Sequence, residues 1–313
     1  MSFTCTLSGD NVTVTLTDLA AFTLEKEMYT PYSALTLTAW TAVTMEDCAA
    51  IYCVTFAYDD TVLHQGTVQQ LTVQRCHGVQ KVTVTSRGYT ALLLQNQLEP
   101  GLHSGISLDD LMTSFYTFPD AITWEANDDT SNYIYVKSSA SLWDGVVGLC
   151  FKLYGNYPFV RDANTVRLTL PESYTTYTPP DDDALLKRGM VHDQSLLYSD
   201  YYMADAEGTY GAFHENEPEA TARQLVRTKQ LSLDQQYLYD PQEALVFRRK
   251  FADRRLKRLF LEVPSFAQVT LGDHMVYSDD LPDLVITRIV LTGDTAGIRT
   301  RLESYQDGFY GTT

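Results

Sequence analysis

EALVFRRKFADRRLKRLFLEVPSFAQVTLGDHMVYSDDLPDLVITRIVLTGDTAGIRTRL, residues 243–302, carries the pattern that decides the fold. Its first part reads as one helix face, with Ala244, Phe247, Phe251, Ala252, Leu256 and Leu259 recurring every three to four residues. Asp240 and Pro241 supply an N-cap and a first helical residue, and Val263-Pro264 ends the run. The remainder reads as strands. Leu271-Gly272-Asp273 turns into 274–277, 283–292 is strongly apolar, 293–297 turns the chain, and 298–303 leaves in alternation. A helix laid beside a curled sheet is an architecture and not a catalyst.

Working outward, residues 11–17 alternate, with Val12, Val14 and Leu16 on one face and Thr13, Thr15 and Thr17 on the other. Residues 35–43 repeat the pattern with Leu35, Leu37, Ala39 and Val43, and 51–57 follow. In 66–75 the parity slips at Gln69-Gln70, the mark of a bulge. His77-Gly78 turns the chain into 79–87. Strands with one apolar and one Thr-rich face predict an antiparallel barrel or sandwich.

At Gly88-Tyr89 the character changes. Residues 90–97 are helical and Pro100-Gly101 stops them. Ser107 with Asp110, and Ser141 with Asp144, have capping-box spacing. Leu108, Leu111, Met112 and Phe115 share one helical face; Leu142, Val146, Leu149, Cys150 and Leu153 share another, closed by Gly155. Residues 132–137 are a strand, and 157–160 with 165–170 form a hairpin turning at Asp162-Ala163-Asn164. Pro179-Pro180 and the aspartates at 181–183 mark a linker. Beyond it, 190–197, 199–204 and 224–233 are expected strands. The fold class is thus β-rich α+β, with a first strand unit over 1–88, an insertion over 89–173, a linker over 174–183 and a second strand unit over 184–313. Both units end in strand, Gly turn, strand (66–89 and 283–305), a hint of two similar barrels in one chain.

With 313 residues and a 44% apolar fraction, the chain can build real cores. No apolar run of membrane-spanning length occurs, and residues 1–10 lack the pattern of a signal peptide. The net charge of −17 argues against tight binding to nucleic acid, which depends on Lys and Arg releasing counterions. Cys5, Cys48, Cys53, Cys76 and Cys150 make an odd number without a Cys-x-x-Cys pair, so they read as small buried apolar residues in a reducing compartment.

Candidate chemistry is sparse. Arg248, Arg249, Lys250, Arg254, Arg255, Lys257 and Arg258 crowd the expected helix; they read as a solvated face or as partners for acidic side chains of the same chain. His214-Glu215-Asn216-Glu217 is followed by Pro218, which excludes a zincin helix. Asp59-Asp60, Asp109-Asp110, Asp128-Asp129 and Asp279-Asp280 could serve as glycosidase carboxylates, but they lie at turns and helix starts. No nucleophile elbow, Walker loop or dinucleotide fingerprint is present, so no enzyme, cofactor or metal is expected. The 21 tyrosines favour contact surfaces; Tyr198, Tyr201, Tyr202 and Tyr210 are the expected subunit-contact cluster.

Three stretches carry a family resemblance. KVTVTSRGYTALLL (81–94) resembles the barrel-closing strand and R-x-x-x-x-L entry of the baseplate hub (late control) proteins of contractile phage tails, which are related to the N-terminal part of type VI secretion spike proteins. Residues 107–122 and 141–160 resemble that family's paired helices, the second leading into a Gly-Tyr-Pro hairpin. Residues 243–302 resemble its C-terminal helix and last strands, with Leu-Gly-Asp where Pro-Gly-Asp is commoner. The resemblance implies two tail-tube-like barrels per chain and a homotrimer whose six barrels continue a hexameric tail tube. It further implies a spike protein on the other face, surrounding baseplate proteins, DNA only in transit, and a place in the virion tail. The chain ends at Thr313, so any cell-wall hydrolase is expected on a partner. A carbohydrate-active or lectin-like β-protein, and a tail-tip protein of a noncontractile phage, are the rival readings.

Overall fold

The computed structural model describes residues 2–41, 43–76, 78–114, 116–180, 184–233 and 240–311. His77, Phe115, the aspartates at 181–183 and the Cys76 side chain lie outside the described residues.

The first unit comprises β1 (Phe3–Gly9), β2 (Val12–Leu16), β3 (Leu19–Glu27), β4 (Ala34–Trp40), α1 (Met45–Ala50), β5 (Ile51–Tyr58), β6 (Thr61–Cys76) and β7 (Val79–Gly88). The insertion adds α2 (Leu92–Gln95), β8 (Gly101–Ile106), α3 (Leu108–Thr113), β9 (Thr123–Trp124), β10 (Ser131–Val136), α4 (Leu142–Tyr154), β11 (Phe159–Arg161) and β12 (Thr165–Arg167). Next come β13 (Thr176–Tyr177), β14 (Lys187–His192), β15 (Asp200–Met203), β16 (Phe213–Asn216), α5 (Pro218–Ala222) and β17 (Thr228–Leu231). The chain finishes with α6 (Pro241–Asp253), β18 (Lys257–Val263), β19 (His274–Met275), β20 (Leu284–Val285), β21 (Arg288–Asp294) and β22 (Gly297–Tyr305).

One antiparallel sheet of 11 strands runs through both units in the order β14-β18-β22-β21-β3-β4-β7-β6-β5-β1-β2. It is curled. β1 and β3 are five steps apart, about 24 Å in a flat sheet, yet the Phe3 and Phe22 rings lie 4.8 Å apart. Phe56 from β5 joins them at 5.5 Å and 5.0 Å. The apolar faces read from the sequence, Leu35-Leu37-Ala39 and Val82-Val84 among them, line this enclosed core. The expected bulge is a register shift between Val68 and Gln70.

The second unit closes differently. β21 and β22 form the expected hairpin, and β18 and β14 extend it. A small sheet, β13-β19-β20, bends over it, and the Tyr277 hydroxyl donates to the Gly189 carbonyl on β14 (3.2 Å). Its core is shared with the insertion: Leu259, Leu261 and Leu302 belong to one cluster with Leu142, Val146 and Leu149 of α4. The units join where β3 pairs with β21. There Gly293 lies against Phe22; an added Cβ would stand 2.3 Å from the Phe22 ring, so the seam needs bare backbone.

Both capping boxes form as expected, at Ser107/Asp110 and Ser141/Asp144, and Gly155 ends α4 with φ +63. Asp240 caps α6 by accepting the Glu243 N–H (3.0 Å). The C-terminal helix, however, stops at Asp253. Leu256 and Leu259 lie beyond it, and 257–263 is a strand whose residues alternate in burial. Leu259, Leu261 and Val263 fit period two as well as Leu259 fits the helix; pairing with β14 and β22 on both sides decides for strand. The apolar run 283–292 is broken at Ile286-Thr287, which bond instead to Asp273 and Glu303 (2.7 and 2.9 Å). Within the segment read as a linker, Thr176–Tyr177 is held as β13, parallel to β19.

Candidate functional site: the junction of the strand units

Three parts of the chain meet at the turn between β11 and β12. Asp162 adopts φ +55 there, a left-handed conformation that Asp tolerates better than most residues. Its carbonyl accepts from Lys26 Nζ at the end of β3 (2.6 Å), and its N–H donates to Thr270 Oγ1 (3.0 Å). Arg161 pairs with the buried Asp273 (3.0 Å). Asn164 Nδ2 donates to the Gln65 carbonyl in β6 (2.9 Å), while its Oδ1 accepts the Thr90 N–H (3.3 Å). One short turn is therefore bonded to the first unit, the insertion and the second unit.

The polar groups beneath it are buried and matched. Fully buried His64 in β6 lies 2.7 Å from Ser33 Oγ through Nδ1 and 2.8 Å from Ser86 Oγ through Nε2. Ser86 spends its one hydroxyl proton on the Thr67 carbonyl (2.9 Å). It must then accept from His64, which puts the imidazole proton on Nε2 and makes Ser33 the donor to Nδ1. Burial, reinforced by the nearby Lys26 charge, pushes His64 down to about 3. Burial likewise lowers the Lys26 ammonium to about 8, against the opposing pull of Asp162.

Across the β3–β21 seam the buried groups are ionic. Glu303 accepts from Arg288 Nη1 (3.0 Å) and Arg301 Nε (2.6 Å), with Arg258 Nη1 at 3.6 Å. Arg288 also reaches Glu25 on β3 (2.9 Å). Glu27 receives Arg255 Nε (2.8 Å) and the Tyr305 hydroxyl (3.0 Å). Lys26, Glu27 and His64 escaped the sequence reading. The charged triplet Glu25-Lys26-Glu27, closing an otherwise uncharged strand, was the signal available.

The basic stretch is divided by the end of α6. Arg248, Arg249 and Lys250 stand on the helix, and Lys257 and Arg258 on β18. Arg249, Arg255 and Arg258 take acidic partners from their own chain, as expected. His214 stacks on Tyr202 (4.4 Å) and bonds Asp200 (3.0 Å). Among the acidic pairs, Asp110 serves its capping box, Asp59 accepts from the Ser2 N–H (2.8 Å), and Asp129 accepts from the Tyr154 hydroxyl (2.6 Å). Among the described residues, no group of three or more His, Cys, Asp or Glu is arranged to hold a metal ion. Cys5 and Cys150 are buried free thiols; burial pushes Cys5 up to about 12. Among the described residues no helix is long and apolar enough to cross a membrane.

The tyrosine cluster separates. Tyr201 is fully buried under α6 with Met203, Ala244 and Leu245, so its ring packs inside its own chain. Tyr198 leans on it at 5.7 Å, Tyr202 covers His214, and Tyr210 is exposed.

This architecture matches solved structures over nearly its whole length. The prophage MuSo2 43 kDa tail protein of Shewanella oneidensis superposes with a TM-score of 0.72 at 12% identity, covering 97% of this chain and 98% of that one. The chain has the fold of phage tail proteins. A tail protein of Neisseria meningitidis MC58 matches with a TM-score of 0.69 at 12% identity, over 99% and 98% of the two chains. The E. coli c3393 protein, a type VI secretion component described as similar to bacteriophage T4 tail proteins, matches with a TM-score of 0.55 at 10% identity, over 94% and 75%. These likenesses agree with the hub and secretion-spike resemblance read from the sequence. No protein-family model matches the chain, and no curated protein sequence does.

Proposed function

We propose that this chain is a structural component of a tail baseplate: the hub of a contractile phage tail or related injection device, working as a homotrimer within the virion. The observation that carries the reading is the continuous sheet. Two strand units are hydrogen-bonded into one ladder and pinned by the turn at 161–164, so their spacing is fixed within each chain. Three such chains present six units in a ring, which suits a sixfold tube on one face and a threefold spike on the other. Baseplate proteins surround it. An acidic surface lets DNA pass without adhering. In this reading the described residues serve assembly and not catalysis. Tyr198, Tyr202 and Tyr210 are offered as part of the subunit contact, without the buried Tyr201.

Mass photometry of the purified chain is the test. The expected species has three times the 35.3 kDa chain mass, and electron micrographs of it have threefold symmetry. A monomer at micromolar concentration that never enters tail particles overturns the proposal.

A further inference from the structure

The lobe formed by β15, β16, β17 and α5 rests on α6 through an unequal set of charges. Arg249 of α6 is the one cation among three carboxylates: Glu215 of β16 (3.1 Å), Glu217 at the N-cap of α5 (2.9 Å), and Asp253 one turn further along its own helix (3.8 Å). Glu217 and Asp253 are both more than nine-tenths buried. With every group ionised, Arg249 would face two buried carboxylates and a third that is partly exposed, leaving at least one buried negative charge uncompensated, which low-dielectric surroundings penalise. Asp253 Oδ1 is buried without a hydrogen-bond acceptor's usual donor, and so is the Tyr201 hydroxyl of β15 without a partner. A proton on Asp253 resolves the arrangement. It removes one charge and supplies a donor toward Glu217.

We propose that the contact between this lobe and α6 is a proton-operated latch, closed while Glu217 and Asp253 share a proton and loosened once both are ionised. Burial first, then the Glu217 charge, raise Asp253 to about 8 against the pull of Arg249. The other facing groups lean the same way. Asp307, from the segment after β22, is itself raised, mainly by burial, and adds negative charge. Glu219 and Lys250 line the same cavity of about 270 Å³; Glu219 is already paired with Arg223 and, at 3.3 Å, with His192 Nε2. Tyr201 is held neutral by burial and by the Asp253 and Glu217 charges. The lobe is suited to open locally because its buried core against α6 is small: Tyr201, Met203, Ala244 and Leu245.

The sign follows from linkage. Asp253 has a folded value above its free carboxyl value, so the closed lobe holds a proton that the opened lobe releases between about pH 4 and pH 8. Opening therefore becomes easier as pH rises through that window and levels off above it.

Hydrogen exchange of the full chain, corrected for intrinsic rates, tests this from about pH 6 to pH 9. Peptides from 200–222 are expected to lose protection by up to about tenfold per pH unit below about pH 8 and then to flatten, while β4 and β7 stay constant. Asp253→Asn, which keeps the shape and cannot ionise, is expected to abolish the slope; if it folds poorly, Glu217→Gln, which removes the partner charge and leaves Asp253 buried, is expected to bring the plateau in at a lower pH than in wild type. A wild-type lobe whose protection ignores pH, a slope that survives Asp253→Asn, a plateau that Glu217→Gln does not move, or an equal slope in β4 and β7 overturns the latch.

Discussion

The two strand units solve one problem, burying polar groups at a seam, with opposite chemistry. The first surrounds an aromatic core, and its buried imidazole, His64, is kept neutral between two serines. The second shares its core with the insertion and buries Glu303 against Arg288 and Arg301, and its Arg255 reaches back across the seam to Glu27 of β3. A neutral clamp constrains geometry but carries no long-range charge. An ionic clamp ties distant segments together and depends on every partner being present. The buried imidazole of the first unit is thus satisfied by side chains of that unit, whereas the ionic groups at the seam reach across it, as Glu27 of β3 does to Arg255.

The largest break in that contrast comes from Glu303→Gln. Three guanidinium groups would lose their shared buried carboxylate, and breaking such a pair by removing one partner costs about 3–5 kcal/mol. Urea unfolding should register that loss. Exchange protection should fall first in β18, β21 and β22, with β1, β4 and β5 holding longer. A loss below about 1 kcal/mol would mean the network behaves as a surface ion pair, and the distinction between the units would fail.

The contrast sharpens in acid. His64 has a folded value below its free value near 6.5, so its contribution is fully present above about 6.5 and is lost as pH falls toward about 3. Between about pH 6.5 and pH 4 that amounts to about 3 kcal/mol, at 1.36 kcal/mol per unit. His64→Gln is expected to flatten this part of the profile relative to wild type, leaving the general acid limb of the carboxylates. Equal losses in both proteins would mean the imidazole can be protonated in place. Asp253 in the second unit titrates in the opposite sense, losing its contribution as pH rises, so the two regions bracket a stability optimum from either side.

Much of the first unit was legible because its strands are simple. Thr and apolar residues alternate in β2, β4 and β7, and one parity slip gave the bulge at Gln69-Gln70. Helix starts were equally legible, since Ser107/Asp110 and Ser141/Asp144 act within one turn of chain. Legibility failed where long-range partners decide. β18 looked helical because Leu256 and Leu259 continue the spacing of α6, and only β14 and β22 on its two sides make it a strand. β3 was missed because Glu25, Lys26 and Glu27 interrupt its apolar pattern, and they interrupt it because each serves a partner more than a hundred residues away. Tyr201 was misplaced for the same reason: composition points to a surface, but α6 covers its ring.

The smallest effect isolates the turn that joins both units. Asp162 contributes mainly backbone there: its carbonyl serves Lys26 and its N–H serves Thr270, while its carboxylate stands 4.0 Å from Arg161 and is largely exposed. Glycine supplies the same two backbone groups and adopts φ +55 without strain, so Asp162→Gly should change stability by less than about 1 kcal/mol. Valine keeps the backbone groups too, but its branched Cβ resists the left-handed region, at a cost of about 1–2 kcal/mol. The gap between the two variants, read as the difference in urea midpoints, measures the backbone conformation itself, because neither retains the carboxylate. Equal midpoints would mean that the left-handed backbone at 162 is not held in place, and the account of a turn clamped through its main chain to both units would have to be abandoned.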